Sequence, residues 1–337
     1  MPRCFFCFLL AVCTAAAQSS LTGPSLGLVY DGAEQVIRPI LGIPGASTTG
    51  PHIDTGFTIA NAAISPTQDF ALAISTDGSL NLVTFSPTGP TIQRLNATAI
   101  PDRIVMSPTG SAAILYFRTA NAIQIVSGMP AAVQVGQRRD ISELPQAPDT
   151  FAISDDATVV LAGVPTGGQL FAIPTDNSAA PSIAHVQHAS ALTFFAKSHD
   201  ALIADDAAST ITWLTDAAGQ SSPTWTFSDP ALIKPDSVQA APDHKTILAA
   251  SATSGMLAII DPSGTNKPTF LQCQCAPTEL RPFKPAGIYQ ITEPSNGLLW
   301  ILDSNPANPR PLFVPVPSDN NTHPPTHRPP TTRGSAQ

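Results

Sequence analysis

The sequence predicts an all-β protein, a β-propeller with seven blades, on three observations. One phrase recurs six times between Ala63 and Asp303: an apolar run, a Ser-Pro or Asp-rich turn, a second apolar run, a small-residue turn and a third apolar run. The third runs lie 41 to 47 residues apart, the period expected when each repeat is one antiparallel blade. The 35 prolines interrupt nearly every window that could form a helix. A β-sandwich does not repeat one four-strand phrase in this way.

The first two repeats show the phrase most clearly. Residues 63–66 lead through 71–74 to 80–83, and residues 105–108 lead through 114–117 to 123–126. The same order returns after Ile153, Phe195, Ala241 and Phe283. These segments are therefore predicted to be the inner, second and third strands of six blades.

The N-terminal part decides the number of blades. Residues 28–31 have the character of a third strand, and residues 36–40 resemble a fourth, outer strand such as 91–95. Six complete blades plus this two-strand piece fill about seven repeats, so seven blades are favoured. Because residues 279–316 already supply four strands to the last repeat, six blades with an extra N-terminal hairpin stay open as an alternative.

The two ends differ from the body of the chain. Residues 1–17 have a basic start, a short apolar stretch and Ala15-Ala16-Ala17 before Gln18, the pattern of a secretory signal peptide. We expect residues 18–317 to form the propeller, exported to the periplasm or the extracellular space and without a membrane span. Residues 318–337 are rich in Pro and Thr and are predicted to be a disordered tail.

Removal of the signal peptide would leave two cysteines, Cys273 and Cys275. They are predicted on an outer strand, where alternate residues lie about 6.6 Å apart at the Cα atoms, near the upper limit of disulfide geometry. A strained bridge and two free thiols both remain open. A metal site would need further ligands and is not favoured.

Two repeats carry the clearest resemblance to a known family. Asp261 follows the apolar residues 256–260, and Asp303 follows 299–302, after the Ser-Pro phrase and the small-residue turn. This pattern resembles the YVTN-type β-propeller repeats of secreted bacterial proteins and, more loosely, WD40 repeats, although the Gly-His and Trp-Asp signatures of WD40 are absent. The resemblance implies a propeller scaffold and no particular chemistry.

Composition and patterning exclude several classes of function. Only 12% of residues are charged, the net charge is −8 and the 16 basic residues are scattered, so nucleic acid is not an expected partner. The predicted inner strands are almost wholly apolar, and no catalytic, cofactor-binding or metal-binding residue is predicted. His185 and His188 would point to opposite faces of a strand, and the pairs 155–156 and 205–206 fit turns.

Charged residues concentrate in the loops predicted to open on one rim of the ring. We predict a binding rim that contains Arg103, Arg138, Arg139, Asp140, Arg281 and Lys284. The leading hypothesis is a secreted, monomeric, non-catalytic propeller that binds a protein or a surface glycan through this rim. The alternative is a metal-dependent hydrolase or lactonase, which three or more acidic, Asn or His side chains converging in the channel would favour.

Overall fold

The computed structural model describes residues 23–176, 178–294 and 298–316, and these residues form 27 β-strands. In chain order the strands are β1 Ser25–Asp31, β2 Val36–Ile43, β3 Ala46–Thr49, β4 Ile59–Ile64, β5 Phe70–Ser75, β6 Leu80–Thr84, β7 Thr91–Leu95, β8 Arg103–Met106, β9 Ala112–Phe117, β10 Ala122–Ser127, β11 Gln134–Asp140, β12 Thr150–Ile153, β13 Val159–Gly163, β14 Gln169–Pro174, β15 Ser182–His185, β16 Ala189–Phe194, β17 Ala201–Asp205, β18 Thr210–Thr215, β19 Ser222–Phe227, β20 Ser237–Ala240, β21 Ile247–Ser251, β22 Met256–Ile260, β23 Thr269–Gln272, β24 Arg281–Pro282, β25 Ile288–Gln290, β26 Leu299–Asp303 and β27 Arg310–Val314.

These strands pair into seven antiparallel sheets that follow one another along the chain. Blade 1 contains β1–β3, and blades 2 to 7 contain four consecutive strands each, from β4–β7 to β24–β27. The sheets are arranged as a ring, which confirms the seven-blade β-propeller. The six-blade alternative is wrong, because the N-terminal strands form a blade of their own.

The same turn geometry recurs between the inner and second strands of several blades, and it explains the recurring Ser-Pro phrase. In blades 2, 3 and 4 a buried Ser ends the inner strand, and its hydroxyl accepts the backbone N–H five residues later, as Ser65 does from Phe70. A residue with positive φ follows three positions after that Ser: Gln68, Gly110 and Ala157. The phrase therefore encodes a tight hairpin that reverses the chain on one face of the ring.

The core lies between neighbouring blades. All residues of the second strands β5, β9, β13, β17 and β21 are buried, since each sheet has a blade packed on both of its faces. Strands buried on both faces are apolar along their whole length, which is why the repeats could be found as continuous apolar runs. Burial of these runs is the main contribution to stability.

Two faces of the ring can be defined by chain direction. In blades 2 to 7 the first strand of each sheet is the inner one, and it starts on the face that we call the upper face. The second strand starts on the opposite, lower face. Connections from an outer strand to the next blade, and turns between second and third strands, therefore open on the upper face.

Among the described residues, blade 1 has no inner strand. The start of β1 lies on the lower face, since Lys284 N–H donates to Leu26 O over 2.8 Å. Its end lies on the upper face, where Tyr30 Oη donates to Ile59 O over 2.9 Å. β1 thus runs as a second strand does, and β2 and β3 correspond to third and fourth strands. The assignment of residues 28–31 to a third strand, with a piece of only two strands, was wrong because β3 is short and contains no large apolar residue.

Gln68 occupies the place where the missing inner strand would make its hydrogen bonds. Its side-chain Oε1 accepts the Leu28 N–H over 2.6 Å, and its Nε2 donates to Pro282 O over 2.8 Å. One amide thereby joins blades 1, 2 and 7. Gly27, with a φ of 152°, makes the approach possible, because a Cβ there would lie 2.6 Å from Phe283 Cδ1 and 2.7 Å from Gln68 Oε1.

The remaining contacts between blades 1 and 7 are apolar inside and polar at the perimeter. Leu26, Val29 and Ile40 of blade 1 pack in one cluster with blade 7 residues such as Leu299 and Ile301. At the outer edge, Thr49 N–H donates to Pro315 O over 3.2 Å. Side-by-side packing of the three-stranded blade 1 and the four-stranded blade 7 therefore closes the ring, and none of the described strands belongs to both sheets.

Cys273 and Cys275 form a disulfide with a Cα–Cα distance of 5.0 Å. They follow β23 and are not part of it, because the strand ends at Gln272. The bend at Gln274 brings the two Cα atoms closer than the spacing predicted for an extended strand.

Both predicted terminal segments, the signal peptide at 1–17 and the tail at 318–337, lie outside the described residues. Within the described part of the chain, no helix has the length and apolar character needed to cross a bilayer.

We expect Gln68→Met to lower the free energy of unfolding by about 2–4 kcal/mol, because the buried Leu28 N–H and Pro282 C=O would both lose their partner. Chemical denaturation followed by fluorescence would measure the change. Gln93→Met, on the exposed strand β7, is the matched control and should stay within about 0.5 kcal/mol. Equal stability of the two variants would contradict the role of Gln68 at the seam.

We expect the double substitution of Cys273 and Cys275 by Ser to lower stability by no more than about 2 kcal/mol, because the bridge closes only a very short loop. Denaturation of the variant beside the oxidised protein would measure this. Loss of the folded state would show that the link is essential.

Candidate functional site

The ring encloses a central cavity of about 460 Å³, a size typical of small-ligand sites. Every blade except blade 4 contributes to its wall. The polar side chains on the wall are Asn61, Ser65, Gln68, Arg103, Ser107, Thr193, Gln239, Arg281, Gln290 and Glu293.

The channel wall is more polar than the sequence indicated. The inner strands were predicted to be almost wholly apolar, yet Asn61, Thr193 and Gln239 of three different inner strands line the cavity. Side chains alternate across a strand, so a single polar residue in an apolar run can point into the channel while its neighbours fill the core. These residues could have been predicted from the sequence, because each is a single polar residue inside an apolar run.

Arg103 and Arg281 stand at the upper mouth of the cavity, at the starts of β8 and β24. Arg103 Nη1 donates to the backbone oxygen of Asp149 over 2.6 Å. Among the described residues no carboxylate lies within 4.0 Å of its guanidinium, although other arginines of the chain have such a partner. Burial lowers the pKa of Arg103, Asp149 opposes this, and the positive charge of Arg281 lowers it further.

Arg281 is held between two glutamates. Its Nε lies 2.7 Å from Glu279 Oε2, and its Nη2 lies 3.6 Å from Glu293 Oε1. The Gln290 amide donates to the other oxygen of Glu279. Burial raises the pKa of Glu279, and Arg281 counteracts this. The sequence analysis did not predict the ion pair between Glu279 and Arg281, because these two residues meet at the mouth only when blade 7 folds.

Arg138, Arg139 and Asp140 do not belong to the mouth. They end the outer strand β11, so they lie at the perimeter of blade 3 and not in the loop that follows it. Arg139 donates to Pro174 O, to Ser178 O over 2.7 Å and to Glu143 over 3.1 Å, and its side chain is only 12% exposed. Arg139 thus connects blades 3 and 4.

The neighbours of Arg139 are more accessible. The guanidinium of Arg138 lies 5.7 Å from the centre of the Phe117 ring. Asp140 accepts the Ser142 N–H over 2.8 Å, and this hydrogen bond lowers the pKa of Asp140. Both residues are exposed, but neither faces Arg103 or Arg281 in the cavity wall.

Lys284 was also placed wrongly by the sequence. The inner strand β24 ends at Pro282, so Lys284 falls in the turn to the second strand, on the lower face. The predicted rim therefore divides into three places: the mouth with Arg103 and Arg281, the perimeter with residues 138–140, and the lower face with Lys284. The predicted positions differ from the observed ones because the sequence set the end of the outer strand β11 and the start of β24 a few residues off; the binding role of these residues stays a prediction.

The structure brings together a cluster that the sequence did not predict. His188 Nδ1 lies 2.6 Å from Asp206 Oδ1, and His188 Nε2 lies 2.9 Å from Asp149 Oδ2. Asp205 has a structural role, because its carboxylate accepts the backbone N–H groups of Gln187 and His188. We call His188 and the two aspartates that contact its ring, Asp149 and Asp206, the Asp149–His188–Asp206 clasp. His185 lies on β15 and takes no part in it.

The other predicted turn pair, Asp155 and Asp156, lies on the lower face. Asp155 accepts the Thr109 and Lys197 N–H groups. For Asp156, burial favours the neutral acid, but hydrogen bonds from Ser154, Thr158 and His199 outweigh it and lower the pKa to about 2. Within the described ranges, no group of three or more His, Cys, Asp or Glu residues could hold a metal ion.

Comparisons with known proteins find similarity of structure only. No family model matches the sequence, and no curated protein matches it. A protein of unknown function from Desulfotomaculum acetoxidans is 12% identical with a TM-score of 0.58, and the match covers 86% of this chain and 99% of that one. The β-propeller domain of Cps50 (Swd1) from Myceliophteria thermophila is 12% identical with a TM-score of 0.57, over 84% and 97%.

A third solved structure, a protein from Bacteroides fragilis described only as a candidate 6-phosphogluconolactonase, is 14% identical with a TM-score of 0.57, over 86% of this chain and 97% of that one. At these identities the likeness shows the fold alone. The chain is a seven-blade β-propeller, and its relation to the YVTN type stays a prediction.

The two adjacent arginines of β11 should differ in their effect on stability. We expect Arg139→Ala to lower the free energy of unfolding by about 2 kcal/mol or more, because charged hydrogen bonds between two blades are lost. Arg138→Ala should change it by less than about 1 kcal/mol, since only an exposed cation–π contact is removed. Thermal and chemical denaturation of both variants measure this, and equal effects would contradict the buried role of Arg139.

Proposed function

We propose that this chain is a secreted, monomeric, non-catalytic propeller that binds an acidic group of a protein partner at the upper mouth of its channel. The observation that carries the proposal is Arg103, a cation at the mouth of a cavity with no carboxylate partner among the described residues. Of the predicted binding rim, the proposal keeps Arg103 and Arg281 at the mouth of the cavity, together with the loops around the mouth.

The electrostatics of the mouth favour an anionic ligand. Arg103 is exposed at the mouth and experiences the positive charge of Arg281. A carboxylate between the two arginines would offset the repulsion between them. The planar guanidinium group binds carboxylates and sulfates through two parallel hydrogen bonds.

The loops around the mouth favour a protein over a glycan. Three large apolar side chains are exposed in upper-face loops: Ile100 at 61%, Ile233 at 42% and Leu298 at 61%. They belong to the loops that precede β8 and β20 and to the turn before β26. Exposed apolar side chains on the same face as the two arginines are typical of protein-binding surfaces, whereas a glycan would not need them.

The alternative function, a hydrolase or lactonase in the channel, has weaker support. Of the acidic, Asn and His side chains in the described part of the chain, the cavity wall contains Asn61 and Glu293. That is fewer than the three converging groups expected for this reaction class. The chemical description of the Bacteroides fragilis neighbour belongs to that protein.

We expect Arg103→Ala to weaken binding of a fluorescein-labelled acidic peptide, rich in Glu and flanked by apolar residues, by about tenfold, as removal of one charged hydrogen-bonded contact would. Arg281→Ala should weaken it less, because Arg281 is already paired with Glu279 and Glu293. Fluorescence anisotropy at low ionic strength measures the affinity. Arg138→Ala, an arginine at the perimeter, is the matched control and should bind as the unchanged protein does.

Three outcomes would contradict the proposal. If Arg103→Ala and Arg138→Ala bind the peptide equally, the mouth is not the site. If a heparin hexasaccharide binds more tightly than the peptide and depends on Arg103, the ligand is a sulfated glycan. Turnover of a lactone panel that is abolished by Glu293→Gln would favour the enzyme.

A further inference from the structure

Three loops of the upper face meet at one imidazole beside the channel mouth. His188 lies in the connection from β15 to β16, Asp149 directly before β12, and Asp206 in the turn between β17 and β18. The ring nitrogens are 2.9 Å and 2.6 Å from the two carboxylates. The clasp therefore joins the start of blade 4 to blade 5.

With both carboxylates ionised, the two contacts of the clasp need the charged form of His188. An ionised carboxylate only accepts hydrogen bonds, and a neutral imidazole carries one N–H. Both contacts can be hydrogen bonds only if both ring nitrogens carry a proton. In agreement with this, the hydrogen bond to Asp149 and then that to Asp206 raise the pKa of His188, against the effect of burial.

Asp149 connects the clasp to the channel mouth. Its backbone oxygen accepts Arg103 Nη1 over 2.6 Å, while one carboxylate oxygen contacts His188. The second carboxylate oxygen, Oδ1, is buried and has no hydrogen-bond partner in the described part of the chain. The negative charge of Asp149 also acts on Arg103, since it opposes the lowering of the Arg103 pKa. His188 and Arg103 are thus two cations beside one carboxylate.

We propose that His188 is a positioning residue that keeps Arg103 available to an anionic ligand by neutralising Asp149. When His188 loses its proton, the neutral imidazole keeps one N–H, and the shorter contact, to Asp206 over 2.6 Å, retains it. The Asp149 carboxylate then loses its donor and pairs with the guanidinium of Arg103. Binding at the mouth is then weakened by an internal competitor. The inference rests on the proposed function, because it assigns a pH dependence to the same site.

The direction of the pH dependence follows from the raised pKa. A group whose pKa is higher in the folded than in the unfolded protein stabilises the fold fully below its unfolded pKa of about 6.5. That contribution is lost as the pH rises through the folded pKa. Because only the charged form of His188 neutralises Asp149 in our proposal, anion binding should be tight at mildly acidic pH and weaker in alkaline solution.

Other charged groups surround the clasp, and some of them titrate. The Asp205 carboxylate accepts the backbone N–H of His188. Asp236, on the next blade, has a pKa raised by burial and by the charge of Asp206. On the far side of the mouth, Glu279 has a pKa raised by burial, and its protonation would also release an arginine in acid. Glu279→Gln separates that contribution from the effect of His188.

The test measures affinity for the labelled acidic peptide by anisotropy from about pH 5.5 to about pH 9, in a Glu279→Gln background and in the unchanged protein. We expect the Kd to rise about tenfold across this range, as loss of one charged hydrogen bond implies. His188→Gln should bind weakly at every pH. The double variant His188→Gln/Asp149→Asn should recover tight, pH-independent binding, because the competing carboxylate is gone.

Each outcome decides between the proposals. If His188→Gln keeps the pH profile of the unchanged protein, or if Asp149→Asn fails to restore binding while the variant is folded, His188 does not position Arg103. If the unchanged protein binds no peptide at any pH, the proposed function fails. The clasp can then be tested by stability alone. As the pH rises above neutral, the midpoint of thermal unfolding of the unchanged protein should fall relative to that of His188→Gln. Parallel plots of midpoint against pH for the two proteins would overturn the proposed role of the clasp.

Discussion

The closure of the ring depends on one side-chain amide at the seam between the two ends of the chain. In the part of the chain that the structure describes, six blades contain an inner strand and blade 1 does not. Gln68 accepts the Leu28 N–H and donates to Pro282 O, as a backbone peptide of the absent strand would. Buried backbone groups must be paired, so the shape of the seam follows from the position of this side chain and from the absence of a Cβ at Gly27.

The missing strand also influences the channel. Leu28 of blade 1 reaches the cavity wall from what corresponds to a second strand, beside the inner strands of five other blades. The core between the blades is apolar, because every sheet is covered on both faces. The channel wall is instead assembled from single polar side chains, since only one side of each inner strand faces it. Gln68 serves both, since it lines the channel and also pairs backbone groups at the seam.

The upper face combines opposing charges that the fold holds a short distance apart. Arg281 lies between Glu279 and Glu293, whereas Arg103 contacts only a backbone oxygen. The Asp149 carboxylate acts on Arg103 through its charge, and His188 contacts it. Such an arrangement of charges in loops on a rigid ring is suited to recognition. In our proposal His188 and Arg103 compete for the Asp149 carboxylate, and this competition makes binding sensitive to pH.

The sequence alone was sufficient for the architecture, because the core signal is local and repeated. The apolar runs and Ser-Pro turns predicted six blades and their inner strands correctly, and the period indicated a seventh. It did not predict the role of β1 or the position of β3, since an edge strand such as Ala46–Thr49 carries no apolar pattern. Only the tertiary structure decided which charges meet: Arg103 and Arg281 come from blades 3 and 7, and Asp149, His188 and Asp206 from three loops. Contacts between residues far apart in the chain depend on the closure of the ring, and no local pattern contains that information.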